Sequence, residues 1–525
     1  MIRTAKPLHH RHRFPWLAIA LTGALVLSMS CSQTPSTAQS AAHGADTRTA
    51  KTSSTAIISH TAVPTPAAAS MISSFPPTPT VKPHTPPAPA TLSFAFWNGQ
   101  QLAVQADTAV VLPLPQAPAG AQHSQLTVHI AGWPNAASLT MDSVRIQIPS
   151  NAIGIHRVVL HWQHGESASI RLQVAPMLLL NQHLGMPDDL TLAPDGSIIF
   201  SNLQTGSVER LSNDAPPTVL VSGLHTPEGV AIQADGALII AEQGTNRILS
   251  WRNGHGEHVL AQLPRPRGAT GIDGLSITAS TLLLPDSANG FLYFLLLRMS
   301  PVLRQQPSHW LRPTDAVLWH TTVYLIDEYG GQLWTGQRGS ALVPRGPKLT
   351  LPDDVVIGPH GTAYINELGG STSNGAVVAI HRDGTMTTLL RHLHSPQGLA
   401  IDGADNLMLS QTASGSIGVF LQSCWPLFLG SQRITPQEQE PSPIALAVGS
   451  DCVEGNTPLH FDVIRTPLWP PPATESRTAI PSSPAIVHSM DGSAIILLAY
   501  EKSVAGTQLV LTLHTDKGVA QVPLA

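Results

Sequence analysis

Charged and aromatic side chains are scarce in this chain of 525 residues. Asp, Glu, Lys and Arg make up 12% of it, and Phe, Trp and Tyr make up 5%, whereas charged residues are about a quarter of an average soluble protein. The net charge is -5, and the only run of basic residues lies within the first 13 positions. Because nucleic-acid binding needs clustered positive charge, this composition argues against a nucleic-acid partner.

Common catalytic and metal-binding motifs are also missing. The 24 histidines are scattered without an H-E-x-x-H pair, and no G-x-S-x-G elbow falls at a strand-to-helix turn. Of only three cysteines, Cys424 and Cys452 do not have zinc-finger spacing. In an oxidising compartment they could form a disulfide bond, and two separate buried thiols are the alternative.

The N-terminus has the pattern of an export signal, which we place at residues 1–30. Basic residues precede an apolar run at 16–29, which is short for a bilayer span. The end of this run resembles a bacterial lipobox, because Cys31 follows the small residue Ser30, although Ser28 stands where that family prefers Leu. The resemblance implies a lipidated Cys31 and a location in the cell envelope, at the outer surface or in the periplasm. A secreted protein, cleaved after small residues, and a retained anchor are the alternatives.

Residues 31–92 are rich in Ser, Thr, Ala and Pro and poor in large apolar side chains. Such a segment buries too little surface to offset the entropy of ordering it, so we predict a disordered tether. With a lipid at Cys31, the tether would hold a folded body away from the membrane. We expect a monomer whose only membrane contact is that lipid.

One pattern recurs six times between residues 186 and 421. Each copy has a residue pair, an apolar run, a turn and a second apolar run that ends in a polar residue. Copies start about every 40 residues, a period typical of propeller blades. The six pairs are Pro187-Asp188, Pro227-Glu228, Ile272-Asp273, Thr314-Asp315, Pro352-Asp353 and Pro396-Gln397. The polar ends are Asn202, Glu242, Asp286, Asp327, Asn366 and Gln411.

These copies resemble the NHL repeat and the gluconolactonase-type (senescence-marker-like) propellers, as in Pro227-Glu228-Gly229-Val230-Ala231 followed by Asp235-Gly236. The resemblance implies an all-β fold with a six-bladed β-propeller at residues 177–430. Residues 431–525 are then a C-terminal β extension, or additional blades that would raise the number to seven or eight. Residues 93–176 have strand-like alternation, and 144–176 resemble the closing half of an immunoglobulin-like TIG domain, which implies an N-terminal β-sandwich.

The second residues of the pairs are expected to meet at one end of the propeller channel. Strands one and two of a blade are antiparallel, so the polar ends should lie on the same face. Asp188 and Gln397 complete a polar ring with the four carboxylates of Glu228, Asp273, Asp315 and Asp353. Because hard oxygen ligands suit Ca²⁺ or another divalent cation, we consider Glu228, Asp273, Asp315 and Asp353 as metal ligands. A solvated polar mouth and a site that selects amines or other cations are the alternatives. We expect the polar ends to accept hydrogen bonds from adjoining loops.

The gluconolactonase resemblance also implies a metal-dependent hydrolase. Glu228-Gly229 match two positions of that family's E-G-P motif, but Val230 replaces the proline, and no segment reproduces its N-G-[LIV] motif. We therefore rank binding of a ligand or protein partner through the acidic channel face first. A hydrolase of lactones or esters is second, and a structural or adhesion protein of the envelope is third.

Overall fold

The computed structural model describes residues 94–114, 125–140, 142–163, 165, 167–212, 216–264, 270–297, 302–306, 309–433, 444–453, 459–470, 486–490, 493–498 and 507–524. The predicted signal at 1–30, Cys31 and the tether at 31–92 lie outside these residues. None of the helices formed by the described residues is long and apolar enough to cross a membrane.

The N-terminal part consists of a short 3₁₀ helix, Phe94–Trp97, and seven strands. They are β1 Gln101–Gln105, β2 Ala109–Pro113, β3 Leu126–Ile130, β4 Ala137–Leu139, β5 Ser143–Gln147, β6 Gly154–Trp162 and β7 Ser167–Ala175. One sheet has the order β1-β7-β6-β3, while β2 pairs with β5 in a second sheet. Inward residues alternate with exposed ones along β7, so its buried side chains face a shared core that contains Trp97 and Trp162.

Six four-stranded antiparallel sheets follow, here called sheets 1–6 in chain order. A separate strand, β8 Leu178–Asn181, precedes them. Sheet 1 contains β9 Pro187–Leu192, β10 Ile198–Asn202, β11 Ser207–Leu211 and β12 Thr218–Ser222. Sheet 2 contains β13 Pro227–Ile232, β14 Leu238–Glu242, β15 Arg247–Arg252 and β16 Gly256–Gln262. Sheet 3 contains β17 Ser276–Thr278, β18 Thr281–Asp286, β19 Phe291–Leu296 and β20 Val302–Gln305.

The second half of the propeller repeats this order. Sheet 4 contains β21 Pro313–Trp319, β22 Thr322–Asp327, β23 Gln332–Gln337 and β24 Val343–Arg345. Sheet 5 contains β25 Pro352–Ile357, β26 Ala363–Glu367, β27 Gly375–Ile380 and β28 Met386–Leu393. Sheet 6 contains β29 Pro396–Ile401, β30 Leu407–Gln411 and β31 Ser416–Phe420, and β8 is its fourth strand.

The first strands of the sheets surround a central channel. They contact one another in a closed series, β9-β13-β17-β21-β25-β29 and back to β9. Second strands such as β14 are buried along their whole length because neighbouring sheets cover both of their faces, whereas the outer strand β20 is exposed. The predicted all-β fold with a propeller of small antiparallel sheets is confirmed, and β8 closes the ring by completing the last sheet.

The C-terminal strands do not form another four-stranded sheet within the described residues. They are β32 Cys424–Arg433, β33 Ile444–Cys452, β34 His460–Pro467, β35 Ile486–Met490, β36 Ser493–Leu498, β37 Thr507–His514 and β38 Val519–Leu524. Instead, β33 pairs with β2 of the N-terminal part, and β36 and β35 extend that sheet. The segments predicted as separate regions at 93–176 and 431–525 therefore share a sheet. Cys424 and Cys452 are paired in register on β32 and β33 and form a disulfide bond.

A three-stranded sheet of β34, β37 and β38 covers the hairpin turn of sheet 1. The buried carboxylate of Asp195 in that turn accepts a hydrogen bond from Trp469 N (2.8 Å) and pairs with Arg210 (3.1 Å). Gly196 has φ +79, and a Cβ there would lie 3.2 Å from Gln521, so the turn needs glycine for both conformation and space. These hairpin turns are at the opposite strand ends from Pro187 and its equivalents, so the channel mouth described next faces away from this contact.

Candidate functional site: the acidic channel

Proline sets the register of the channel. The first residue of each first strand except β17 is Pro, and it pairs with the last residue of the second strand. The pairs are Pro187–Asn202, Pro227–Glu242, Pro313–Asp327, Pro352–Glu367 and Pro396–Gln411. In each of these pairs the strand register shifts once after the proline. Side chains one and two residues after the proline therefore define two successive layers of the channel.

This register corrects two positions of the sequence alignment. The equivalent of Asp188 in sheet 4 is Thr314, one residue before Asp315, because the strand-opening proline there is Pro313. Likewise, the residue paired with Pro352 is Glu367 and not Asn366. Asn366 instead accepts a hydrogen bond from Asp354 N (2.7 Å) and donates to the Gln397 carbonyl.

The first layer, which we call the mouth ring, lines one small cavity. Its six residues are Asp188, Glu228, Asp273, Thr314, Asp353 and Gln397. The cavity has a volume of about 20 Å³, which is close to the space that one water-sized occupant requires. Five of the six predicted ring residues are therefore brought together in this layer, and the sixth, Asp315, reaches the cavity from the layer below.

Two mouth carboxyls share a hydrogen bond. Burial raises the pKa of Asp188 to about 7, and the hydrogen bond from Glu228 opposes part of that rise. Burial and the charges of Asp188 and Asp273 raise the pKa of Glu228 well above its ordinary value, so Glu228 holds the proton of the pair. The other oxygen of Asp188, Oδ2, is buried without a hydrogen-bond partner among the described residues, as is Thr314 Oγ1.

Among the described residues, one guanidinium lies beside this ring. Arg312 Nη2 is 2.7 Å from Asp273 Oδ2, and Nη1 pairs with Glu328. Asp273 also accepts hydrogen bonds from Ser287 Oγ (2.9 Å) and Gln243 Nε2. Burial raises the pKa of Asp273, while Arg312, Ser287 and Gln243 lower it. Asp273 is thus the mouth carboxylate with the most complete set of partners.

The same guanidinium connects the ring to the surface. Burial lowers the pKa of Arg312, but Asp273 and Asp353 raise it, leaving it above its ordinary value. The Arg312 guanidinium carbon also lies 5.3 Å from the ring centre of Tyr329, and the Tyr329 side chain is exposed. Arg312 did not stand out in the sequence because none of the other strand-opening prolines is preceded by a basic residue.

The second layer, which we call the inner ring, contains Asp189, Asp315 and Asp354. Each reaches across to the first strand of the next sheet in the series, where a backbone N–H donates to its Oδ2. The bonds are Val230 N to Asp189 (2.7 Å), Val355 N to Asp315 (3.3 Å) and Leu399 N to Asp354 (2.6 Å). Asp354 also donates to Asp315 through their carboxyl groups. These side chains join adjacent sheets, and the Asp-Asp pairs at 188–189 and 353–354 were the sequence signal for two of them.

Glycine takes the same position where two first strands approach directly. Gly229 N donates to the Asp273 carbonyl, and Gly274 N donates to the Thr314 carbonyl, both at 2.9 Å. A Cβ on Gly229 would lie 2.7 Å from Leu275 N. At this position, an aspartate side chain bonds across to the first strand of the next sheet, or a glycine lets the two first strands approach closely enough to bond directly.

The polar ends of the second strands have the predicted structural role. Glu242 accepts a hydrogen bond from His225 N (2.9 Å), Asp327 from Arg312 N (2.9 Å) and Gln411 from His394 N (2.9 Å). Asn202 and Asp286 accept from the loop nitrogens of Met186 and Asn289. These bonds hold the loops that form the mouth face.

The predicted metal ligands have suitable chemistry but are not arranged as a ligand set. Carboxylate oxygens suit Ca²⁺, yet no group of three or more His, Cys, Asp or Glu in the described part of the chain is placed to hold a metal ion. Asp273 is occupied by Arg312, and Asp315 is bonded to Asp354 in the inner ring. Glu228 and Asp353 do line the cavity.

No protein-family model and no curated protein matches the chain. Similar solved structures include a gluconolactonase from Xanthomonas campestris, 14% identical over 46% of this chain and 88% of that chain, with a TM-score of 0.40. A catalytically inactive virginiamycin B lyase from Staphylococcus aureus is 13% identical over 56% and 98%, with a TM-score of 0.37. A calcium-binding regucalcin from Agrobacterium tumefaciens is 15% identical over 46% and 92%, also with a TM-score of 0.37. At these scores the likenesses identify neither an activity nor a site in this chain.

Proposed function

We propose that this protein is a binding protein whose mouth ring receives one positively charged group. Seven carboxyl groups of the two rings line the cavity. Among the described residues Arg312 is the one guanidinium beside them, and a cation that enters would favour the ionised forms of the carboxyls whose pKa burial raises. Buried charges need compensation, so the excess negative charge favours a cationic ligand. The observation that carries the proposal is the buried Asp188 Oδ2, which has no hydrogen-bond partner among the described residues.

The size of the cavity limits what can enter it. About 20 Å³ accommodates a single ion or the charged end of a larger molecule. An entire lactone or ester does not fit inside. Beside the mouth, the loops of sheet 4 expose Leu311 and Tyr329 to 69% and 63%, and they offer an apolar surface on which the rest of an organic ligand or a protein side chain can lie.

A divalent metal ion and an ammonium or guanidinium group have this positive charge in common. Calorimetric titrations of the mature protein should therefore include Ca²⁺ and Mg²⁺ in one arm and methylammonium and guanidinium in the other. We expect one of these cations to bind with one-to-one stoichiometry. Binding should weaken by about tenfold or more in Asp188→Asn and Glu228→Gln, a change of about 1.4 kcal/mol or more.

The matched control removes a carboxylate outside the channel. Asp235→Asn changes an exposed side chain that pairs with Arg252, so the affinity for the cation should not change. Absence of binding by every cation, or equal affinity in the two mouth variants and the wild type, would overturn the proposal. Binding of the metals alone or of the organic cations alone identifies the ligand class.

Hydrolysis of a lactone or ester is the second candidate, and the Asp188–Glu228 carboxyl pair favours it. A carboxyl with a pKa of about 7 is suited to accept a proton at neutral pH. A screen of lactones, esters and phosphotriesters, with Ca²⁺, Mn²⁺ or Zn²⁺ added, distinguishes the two candidates. Turnover that disappears in Glu228→Ala and Asp273→Ala would favour the hydrolase, whereas the binding proposal predicts no turnover.

We further propose that the protein acts outside the cytoplasm and is attached through a lipid on Cys31. The support is the sequence pattern of residues 1–31, together with a disulfide bond between Cys424 and Cys452, since such bonds persist in oxidising compartments. Mass spectrometry of the mature N-terminus should find a lipidated Cys31. An unmodified Cys31 or an N-terminal Ser32 would instead indicate secretion.

A further inference from the structure

The channel widens on the far side of the inner ring. A second cavity of about 330 Å³ lies there, more than tenfold larger than the 20 Å³ cavity of the mouth. Its walls come from the first strands of all six sheets, and Asp189, Asp315 and Asp354 form its inner end. Organic ligands are typically bound in cavities of about 300–1,000 Å³, so this end of the channel has the size of a small-molecule site.

Small side chains on the first strands create this space. The residues four positions after the strand-opening proline, or after Ile272 in sheet 3, are equivalent in register and all line the cavity: Thr191, Ala231, Ser276, Val317, Val356 and Ala400. None is larger than valine. The neighbouring wall residues Leu192, Ile277 and Ile401 are aliphatic, so the wall offers apolar side chains as well as polar groups.

Charge is confined to one end of the cavity, and it is negative. None of the lining residues is Lys, Arg or His. Within the inner ring Asp354 donates a hydrogen bond to Asp315, and a cation bound beside these carboxyls would favour their ionised, negatively charged forms. In an environment of low dielectric constant, such charges attract a cation and repel an anion more strongly than they would in water.

We propose that this wide end of the channel is a second binding site, for a compact organic cation with an apolar body. The ammonium group would lie against the carboxylates of Asp189 and Asp315, and the apolar body against Val317 and Val356. The two ends of the channel then differ in ligand class, because the mouth has room for a charged group only. This site does not depend on the function proposed for the mouth.

Three ring compounds of one shape test the proposal. They are cyclohexylmethylamine, cyclohexylmethanol and cyclohexanecarboxylate, titrated calorimetrically into the mature protein at neutral pH. We expect the amine to bind, the alcohol to bind at least about tenfold more weakly than the amine, and the carboxylate not to bind. A tenfold loss of affinity corresponds to the loss of one ionic contact. Ala400→Phe and Ala231→Leu, which fill the cavity from two different sheets, should each weaken amine binding by a similar factor.

Control variants separate the outcomes. Val343→Phe adds the same ring to an exposed position on β24 and should leave amine binding unchanged. Melting curves show whether Ala400→Phe and Ala231→Leu are folded, and either folded variant suffices. Equal binding of amine and alcohol would overturn the cation requirement. Amine binding that survives both filling variants but is lost in Asp188→Asn would place the amine at the mouth and overturn the second site, as would a lack of amine binding.

Discussion

The mouth ring and the inner ring are adjacent layers of the same six strands, yet their carboxyl groups have different surroundings. Each inner-ring carboxylate accepts a backbone N–H of the neighbouring sheet. In the mouth ring, Asp188 keeps an oxygen without a partner among the described residues. The pKa of Asp353 is raised by burial and by the charges of Asp188 and Asp273. Two aspartates that are adjacent in the chain can therefore have different roles: Asp353 is available for binding, and Asp354 links two sheets.

The difference indicates where the cost of burying charge is compensated within the protein. In the inner ring, hydrogen bonds between sheets offset part of the loss of hydration, although burial still raises the pKa of Asp189 and Asp354 well above the ordinary value. In the mouth ring, Arg312 offsets the loss of hydration only at Asp273. The remaining carboxyls are stabilised by a proton or by a bound cation. Folding accounts for the first arrangement whether or not the wide end of the channel binds a ligand, whereas ligand binding is the simplest reason for the second.

The largest expected effect comes from removing the one cation of the mouth. Arg312→Met leaves Asp273 and Glu328 buried without their guanidinium, which should lower the free energy of unfolding by about 4 kcal/mol in urea denaturation. The control is Arg252→Met, whose ion pair with Asp235 is exposed and should contribute less than about 1 kcal/mol. Similar losses in the two variants would mean that Arg312 is not the counter-ion of the ring.

Breaking a link between sheets should have the next largest effect. Asp354→Ala leaves Leu399 N without its acceptor and weakens the bonding of Val355 N, so we expect a loss of about 3 kcal/mol in the same assay. Its neighbour provides the comparison, because Asp353→Ala removes a mouth carboxylate that joins no two sheets among the described residues. A stability loss in Asp353→Ala as large as that in Asp354→Ala would contradict the division between the rings.

The glycine junctions should be sensitive to a single methyl group. In Gly229→Ala, the new Cβ would contact Leu275 N and Gly274 C at 2.7 and 2.8 Å. Since these are backbone atoms, β13 and the adjoining loop must separate, and we expect a loss of about 2 kcal/mol. A melting temperature equal to that of the wild type would show that the strands can separate freely.

The smallest expected effect is a gain in stability. The pKa of Asp188 is raised from 3.8 to about 7, so the folded state binds this proton more tightly than the unfolded state. The favourable contribution is therefore complete below about pH 4 and is lost as the pH rises through 7. Asp188→Asn, which cannot ionise, should be more stable than the wild type by about 1 kcal/mol at pH 8.

The pH dependence provides the check on that variant. Thermal melts between pH 4 and pH 8 should show a stability loss in the wild type that is reduced in Asp188→Asn. Asp235→Asn, outside the channel, should retain the slope of the wild type. A wild type that becomes more stable as the pH rises from 4 to 8 would show that the mouth carboxyls do not dominate this range.

Periodicity predicted the sheets, their order and the convergence of the mouth residues, because each copy repeats a local pattern of strand and turn. It misplaced Asp315 and Asn366 by one residue, because the alignment followed the acidic residue in sheet 4 and ended the second strand of sheet 5 at Asn366 instead of Glu367. The prolines that open the strands are the better guide to register. Every first strand except β17 starts with one.

Contacts that do not repeat could not be predicted in this way. Arg312 directly precedes a strand-opening proline, and none of the other such prolines follows a basic residue, so no pattern pointed to it. The pairing of β33 with β2 joins residues such as Asp451 and Val110, which are far apart in the chain and have no shared motif. Such contacts depend on how complete sheets pack, and a local pattern contains no information on that.

The two adjacent aspartates of sheet 5 allow the most direct test of the account. The affinity for the cation that binds the wild type should be measured by calorimetry in Asp353→Asn and Asp354→Asn, with the melting temperature of each variant. We predict that Asp353→Asn binds about tenfold more weakly without melting earlier, and that Asp354→Asn melts earlier but keeps its affinity. Equal affinities in Asp353→Asn and the wild type, with a loss only in Asp354→Asn, would contradict the assignment of binding to the mouth ring.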